Sequence, residues 1–321
     1  MHTKRIRIAL TVICAFIIIA APLFWFKVAV PILEEQKAFE VPFVINDTLE
    51  DGEGKEASVI ILAGQSNASG CGSDEYLKRN VSPEKYAEYE AGYDNVYINY
   101  SASLSNRSDG FVKASVRQGE YGIWFGPELG MAEELHRAYP DRTFFIIKLA
   151  WGATNLRDHW LSPSSFGPTG GLYLTFINFV DENLEYLESK GYNVKLEALC
   201  WMQGESDSTS PEDAVKYEKS LKNFITDVRL RYEYYASEDG IAFIDATIAE
   251  NPKLWIYYEL LNESKRKVSL LSENNVLIDT DAAGLTTLYE PEDEPDIAHY
   301  DSMSQIKLGN LFAASVLDFL D

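Results

Sequence analysis

The chain has 321 residues, of which 46% are hydrophobic and 13% aromatic, enough for one large core and incompatible with a disordered or fibrous protein. Its formal net charge is -22, and the first thirty residues hold Lys4, Arg5, Arg7 and Lys27 without an acid, so the remainder is more acidic still. Such a body repels phosphate backbones and excludes nucleic acid as a partner, although acidity by itself only keeps a surface solvated and marks no site.

The basic flank Lys4 to Arg7 is followed by an uncharged apolar run from Ile8 to Phe26. At about 1.5 Å per helical residue the run is long enough to cross a hydrocarbon core of about 30 Å. A cleaved signal peptide usually has a shorter apolar stretch, about 7–15 residues, so length favours an uncleaved anchor over residues 1–30. The flanking charge then places the N-terminus in the cytoplasm and the body outside. Secretion after cleavage is the alternative. Residues 31–56, with PILEEQ and NDTLEDGEGKE, are acidic, lack periodicity and read as a linker, leaving a catalytic body over 57–321.

In the body, short apolar runs alternate with amphipathic ones. SVIILAG (58–64), NVYIN (95–99), TFFIIKLAWG (143–152), LEALCWMQG (196–204), IAFIDA (241–246) and NVLIDT (275–280) read as strands, most of them apolar on both faces. Helical patterns run over 127–138, 173–190, 211–235, 252–271 and 304–319. The alternation predicts an α/β fold, a mainly parallel sheet with helices on both faces. Ligands of such folds collect beyond the carboxyl ends of the strands. Three strand ends carry polar or Gly-rich sequence: GQSNASG, WGATNL and QGESD. Cys14 lies in the apolar run; Cys71 and Cys200 read either as a pair or as two free thiols, and no Cys/His cluster suggests a metal.

Ser66 in GQSN falls where the chain leaves the first strand. A serine there can expose its hydroxyl and aim its own N–H at a developing oxyanion, or it can simply cap a helix. The GxSxG elbow of α/β-hydrolases is absent. Of four histidines, His2 belongs to the cytoplasmic flank, His136 sits among charges on a helical pattern, and His159 lies in RDHWL. His299, in DEPDIAHYDS, has Asp296 three residues before it, a spacing at which a turn brings the carboxylate to Nδ1 and leaves Nε2 as a base. The same spacing also suits a solvated loop histidine.

GQSN, GPE (126–128), WGATNL (151–156), WMQGES (201–206) and DIAH followed by DSMSQIKLG, in that order, resemble the sialate O-acetylesterase and acetylxylan esterase group of the SGNH hydrolases. The resemblance spans the chain from about Ser58 onward. It implies a flavodoxin-like three-layer α/β/α sandwich and an enzyme that removes O-acetyl groups from carbohydrate without metal or organic cofactor. Its triad would be Ser66, Asp296 and His299, and its oxyanion hole the N–H groups of Ser66 and Gly152 with the side-chain amide of Gln203. The second block, often Gly-Gly in this group, here reads Gly152-Ala153.

Gln65, Asn67, Glu128 and Glu205 occupy motif positions and are expected to support the site. A structural role is expected for Glu128 and Glu205, either capping the helix that follows Gly126 or accepting hydrogen bonds from the GQSN turn, since a carboxylate aimed at an oxyanion would oppose catalysis. Trp124, Phe125, Trp151 and Trp160 are candidates for stacking on sugar, with the core as the commoner fate of aromatic residues. An acetylated glycan is the implied substrate. A carbohydrate-binding ectodomain without turnover, or an O-acyltransferase on the same fold, are the rival readings.

Overall fold

The computed structural model describes Phe39, Val41, residues 45–46, 49–103, 106–237 and 239–320. The apolar segment read as a membrane anchor and much of the linker lie outside these residues. Among the described residues no helix is long and apolar enough to cross a membrane. The chain divides into residues 1–40 and a second compact unit, Val41–Asp321, which is the unit described below.

Six strands form the parallel part of the sheet: β1 (Glu56–Gly64), β3 (Val96–Ala102), β7 (Phe144–Ala150), β8 (Asn193–Met202), β9 (Ala242–Ala246) and β10 (Asn275–Ile278). Their order is β10-β9-β8-β1-β7-β3, with two short antiparallel strands, β4 (Asn106–Arg107) and β5 (Val112–Lys113), on the free edge of β3. β1 and β7 are buried along almost their whole length, as their both-face apolar composition predicts. A two-stranded ribbon, β2 (Gly72–Ser73) with β6 (Trp124–Phe125), stands apart.

The described helices are α1 (Ser66–Ser69), α2 (Asp74–Asn80), α3 (Pro83–Ala91), α4 (Pro127–Ala138), α5 (Gly171–Ser189), α6 (Pro211–Arg231), α7 (Tyr258–Ser269) and α8 (Ser302–Leu317). α4 packs on α8, while α5, α6 and α7 form a second layer in which Phe176 and Phe224 meet at 6.0 Å. All six expected strands and five expected helices are present within a few residues. The fourth helix is shorter than its periodicity predicts. Asn251 Oδ1 accepts from the N–H groups of Lys253 and Leu254, so residues 252–257 turn before α7 begins.

The body also starts before residue 57. Gly52 N–H donates to Lys190 O at 2.7 Å and Gly54 N–H to Gly191 O at 2.8 Å, so the end of the expected linker is tied to the turn between α5 and β8. Glycine-rich polar sequence hides such a segment because backbone groups, not side chains, hold it. Cys71 and Cys200 are both free thiols.

The chain turns from β1 to strands on both sides of it, with β7 on one flank and β8 on the other. Gly64 is in register with Ala150 and with Met202. The loops that leave these three strands therefore start side by side at the reversal of strand order, where open α/β sheets bind ligands.

Candidate active site

At the end of β1 the backbone must turn against its neighbour at once. Gly64 has φ +144, and a Cβ there would stand 1.9 Å from Met202 O, so only glycine fits. Gln65 caps α1, and Ser66 is its first residue, only 9% exposed. Serine after a strand and serine at a helix start are thus one arrangement. Gly70, at φ +95, ends α1 against the backbone of Gly126.

Asn67 connects this turn to the C-terminal loop. Its Oδ1 accepts from Tyr300 N–H at 3.0 Å and its Nδ2 donates to Ala298 O at 3.4 Å, which holds the residues on both sides of His299. The amide is itself oriented by Glu205 Oε1 at 2.8 Å. His299 Nδ1 lies 2.6 Å from Asp296 Oδ2, and Asp296 Oδ1 accepts from Ala298 N–H. The sequence-predicted Ser66, Asn67, Asp296 and His299 are therefore gathered from opposite ends of the body. His136 is engaged elsewhere, with Nδ1 2.6 Å from Asn95 Oδ1. His159 Nδ1 accepts from Asn155 N–H.

Burial pulls the His299 imidazole down, but the Asp296 hydrogen bond and charge, followed by the charges of Glu205 and Glu120, outweigh it and raise it above its ordinary 6.5. The Asp296 carboxyl is lowered by its bond to His299. A histidine held this way can take a proton and stabilise the charge it gains.

Glu128 is fully buried; its Oε1 accepts from Gly126 N–H at 2.7 Å and its Oε2 from Lys148 Nζ at 2.7 Å. It fixes the start of α4, the glycine on which Gly70 rests. Glu205 is also buried, and burial pushes its carboxyl up. Gln65 Oε1 faces the N–H groups of Gly204 and Ser206 at 3.3 Å, joining the first strand end to the fourth.

Gln203 differs from the role the resemblance implies. It is fully buried, and its Nε2 lies 2.6 Å from Asp207 Oδ2, 3.1 Å from Thr154 O and 3.3 Å from Gln65 Oε1, three acceptors for two hydrogens. Its Oε1 accepts from Tyr217 O–H. No hydrogen remains for an oxyanion in this arrangement; the amide locks three loops together. Its partner Asp207 was missed, although it belongs to the QGESD strand end. Asp207 also accepts from Leu156 N–H, and burial pushes it up to about 7.

Gly152 is half-buried at the end of β7. Beside it lies a residue with no periodic or motif signal, Glu120, whose Oε1 and Oε2 would be 3.1 and 3.2 Å from a Cβ on Gly152. Of the aromatic candidates, Phe125 and Trp160 are core, the latter edge-on to Trp201 at 5.0 Å. Trp124 and Trp151 are half-exposed.

The family described as carbohydrate esterase, sialic acid-specific acetylesterase, matches residues 56–318. Similar solved structures include a protein from Arabidopsis thaliana, 20% identical over 82% of this chain and 99% of that chain, with TM-score 0.59. NanS is 15% identical over 84% and 98%, with TM-score 0.61. A carbohydrate acetylesterase from Xanthomonas citri is 16% identical over 82% of this chain and 56% of that chain, with TM-score 0.54. At these identities the likeness is one of fold. The comparison with curated proteins found no match. Since the family match covers nearly the whole described body, the chain belongs to the sialic acid-specific acetylesterase family of carbohydrate esterases and is a carbohydrate O-acetylesterase.

Proposed function

We propose that the acetyl ester is cleaved in two acyl transfers through Ser66. The observation that supports this most directly is the grip of Asn67, the residue after Ser66, on both neighbours of a histidine whose far nitrogen is already paired with Asp296. In the first step Ser66 Oγ attacks the acetyl carbonyl while His299 Nε2 takes its proton. The tetrahedral oxyanion is held by the N–H groups of Ser66 and Gly152, with Gln203 keeping their loops in register. His299 then protonates the departing sugar oxygen. Water, deprotonated by His299, attacks the acetyl-serine; the second tetrahedral intermediate expels Ser66, which regains the proton, and acetate leaves.

Ser66→Ala is expected to lower acetate release by about 10⁴-fold or more in a folded protein. Wild-type turnover by that variant would exclude the mechanism. Gly152 and Ser66 as backbone donors are tested by a stable tetrahedral adduct: a boronate should bind wild type and lose affinity when residue 152 is enlarged.

We further propose that residues 1–30 anchor the enzyme in the membrane with its body, joined through the following acidic stretch, on the extracytoplasmic side. The support is the uncharged run from Ile8 to Phe26 behind a basic flank. Membrane fractionation with protease treatment of intact cells tests it. A mature N-terminus downstream of the run would show secretion instead.

A further inference from the structure

The chain enters the loop that carries Asp296 and His299 without an apolar anchor. Leu288 and Tyr289 are 61% and 68% exposed, and residues 291–294 are exposed as well. On the far side of His299 the chain is fixed, since Tyr300 is buried and Asn67 holds both neighbours of the histidine. Before His299 the contacts with the body are single hydrogen bonds: Asn251 Nδ2 donates to Ile297 O at 2.9 Å, and the Tyr76 hydroxyl accepts from Glu292 N–H at 3.2 Å. The entering side is therefore held by polar groups.

An exchange of carboxylates between its two ends closes the loop. Asp301 is the N-cap of α8, yet its side chain makes no capping bond. The carboxylate, buried at 6% exposure, turns back and accepts from three consecutive backbone N–H groups: Oδ1 from Tyr289 at 3.2 Å and Glu290 at 2.9 Å, Oδ2 from Leu288 at 3.2 Å. Glu290 returns the contact. Its Oε2 accepts at 2.7 Å from Ser302 N–H, one of the donors that the start of α8 leaves without a helical partner, and its Oε1 accepts from the Ser302 hydroxyl at 2.7 Å. Asn80 Nδ2, at the end of α2, donates to the same Oε1 at 3.1 Å. The main chain completes the closure, with Asp301 N–H donating to Thr286 O and Asp296 N–H to Glu290 O, both at 2.9 Å.

Aspartate is favoured at N-caps because it bonds the N–H groups of the first helical turn. Here it gives up that bond and gathers the N–H groups of a distant segment, which fixes that segment against the residue two positions after His299. Closing residues 290–301 at their base removes conformations in which Asp296 and His299 drift apart. We propose that Asp301 and Glu290 are positioning residues for ester cleavage: by closing this loop they keep Asp296 on His299 Nδ1 and keep His299 Nε2 directed at Ser66. Both act through the loop and not on the ester. The proposal rests on the reading of His299 as the base.

The test compares variants of the full chain in the hydrolysis of para-nitrophenyl acetate, alongside thermal melts. Asp301→Asn keeps the size and one acceptor oxygen but turns an amide NH2 toward a backbone N–H. It should lower kcat about tenfold or more while KM stays within about twofold. The midpoint of its kcat/KM profile should also move down, because a slack loop weakens the Asp296 bond that raises His299. A merely structural role would lower the melting temperature and leave kcat and the midpoint of the folded molecules at wild-type values, and that result overturns the proposal. Glu290 supplies a second pair: Glu290→Gln retains an oxygen for Ser302 N–H and should recover most of the kcat that Glu290→Ala loses. Should Asp301→Asn fail to fold, this pair decides, and wild-type kcat in Glu290→Ala overturns the proposal. His299→Ala is measured beside them. A wild-type rate there removes the base itself, a failure distinct from an active histidine whose loop needs no closure.

Discussion

Glu205 Oε1 accepts from Asn67 Nδ2 at 2.8 Å in a fully buried contact, and this bond decides which way the Asn67 amide faces the His299 loop. Among the described residues the other oxygen of Glu205 has no hydrogen-bond partner, and Asn67 is the side-chain donor to the carboxylate. Asn67→Ala would take away that side-chain donor and free the N–H of Tyr300. A buried group stripped of its partner costs about 1–3 kcal/mol, and a loosened base about 10²-fold in kcat. Denaturant unfolding together with acetate release checks both numbers; a variant with normal rate and stability would show that the His299 loop is held by other contacts.

The pH dependence follows from the His299–Asp296 pair. His299 must be neutral to accept a proton, and its folded value lies above the ordinary 6.5, so activity should rise with pH through a midpoint above 6.5. Stability runs the other way. A raised histidine contributes stability fully below the unfolded value and loses it as pH climbs through the folded one, while the lowered Asp296 contributes above 3.8 and loses its share as pH falls further. In Asp296→Asn the chief raising influence is gone and burial remains, so the midpoint of a kcat/KM profile should move down along with the rate. An unmoved midpoint would mean that another group controls the profile.

Much of this arrangement was legible in the sequence, for identifiable reasons. Ser58 to Gly64 and Phe144 to Ala150 are apolar at nearly every position because both faces are covered, and a central strand is recognisable from that alone. Asp296 and His299 are close in sequence, so a single turn suffices to pair them. What stayed hidden depends on long-range placement. Gln203 reads equally well as an oxyanion donor or a loop tie until Asp207 and Thr154 are seen to claim its hydrogens. Glu120 sits in a loop without periodicity, and only the close approach of Gly70, Gly119 and Gly126 brings it to the site. The turn before α7 escaped because Asn251 satisfies backbone N–H groups that a helix would otherwise have used.

Ala153 takes the backbone position where this family often has a second glycine, and it adopts φ +57, the left-handed region. A side chain there costs of order 1 kcal/mol or more. Ala153→Gly is therefore expected to stabilise the protein by about 1 kcal/mol with acetyl ester turnover kept, since Gly152 remains in place. A thermal melt resolves this. A lower melting temperature would mean that the extra freedom of glycine in the unfolded chain outweighs the relief.

The contact between α4 and α8 offers a last prediction, because it spans both sides of the proposed site. A Cβ on Gly309 would stand 1.9 Å from Pro127 O and 2.7 Å from Met131 N, and one on Gly130 would stand 2.0 Å from Ile306 O. These are backbone atoms, so no side chain can move aside and the helices must separate. α8 begins three residues after His299, and α4 begins just after its cap Gly126, the support of the Ser66 turn. Gly309→Ala should thus cost about 3 kcal/mol and also lower kcat in the molecules that remain folded. Ala314→Gly, on the exposed side of the same helix, supplies the control: it weakens α8 by about 1 kcal/mol through helix propensity without touching α4. If both variants lose stability but keep the wild-type kcat, the helix contact holds the fold together without setting the distance between serine and histidine.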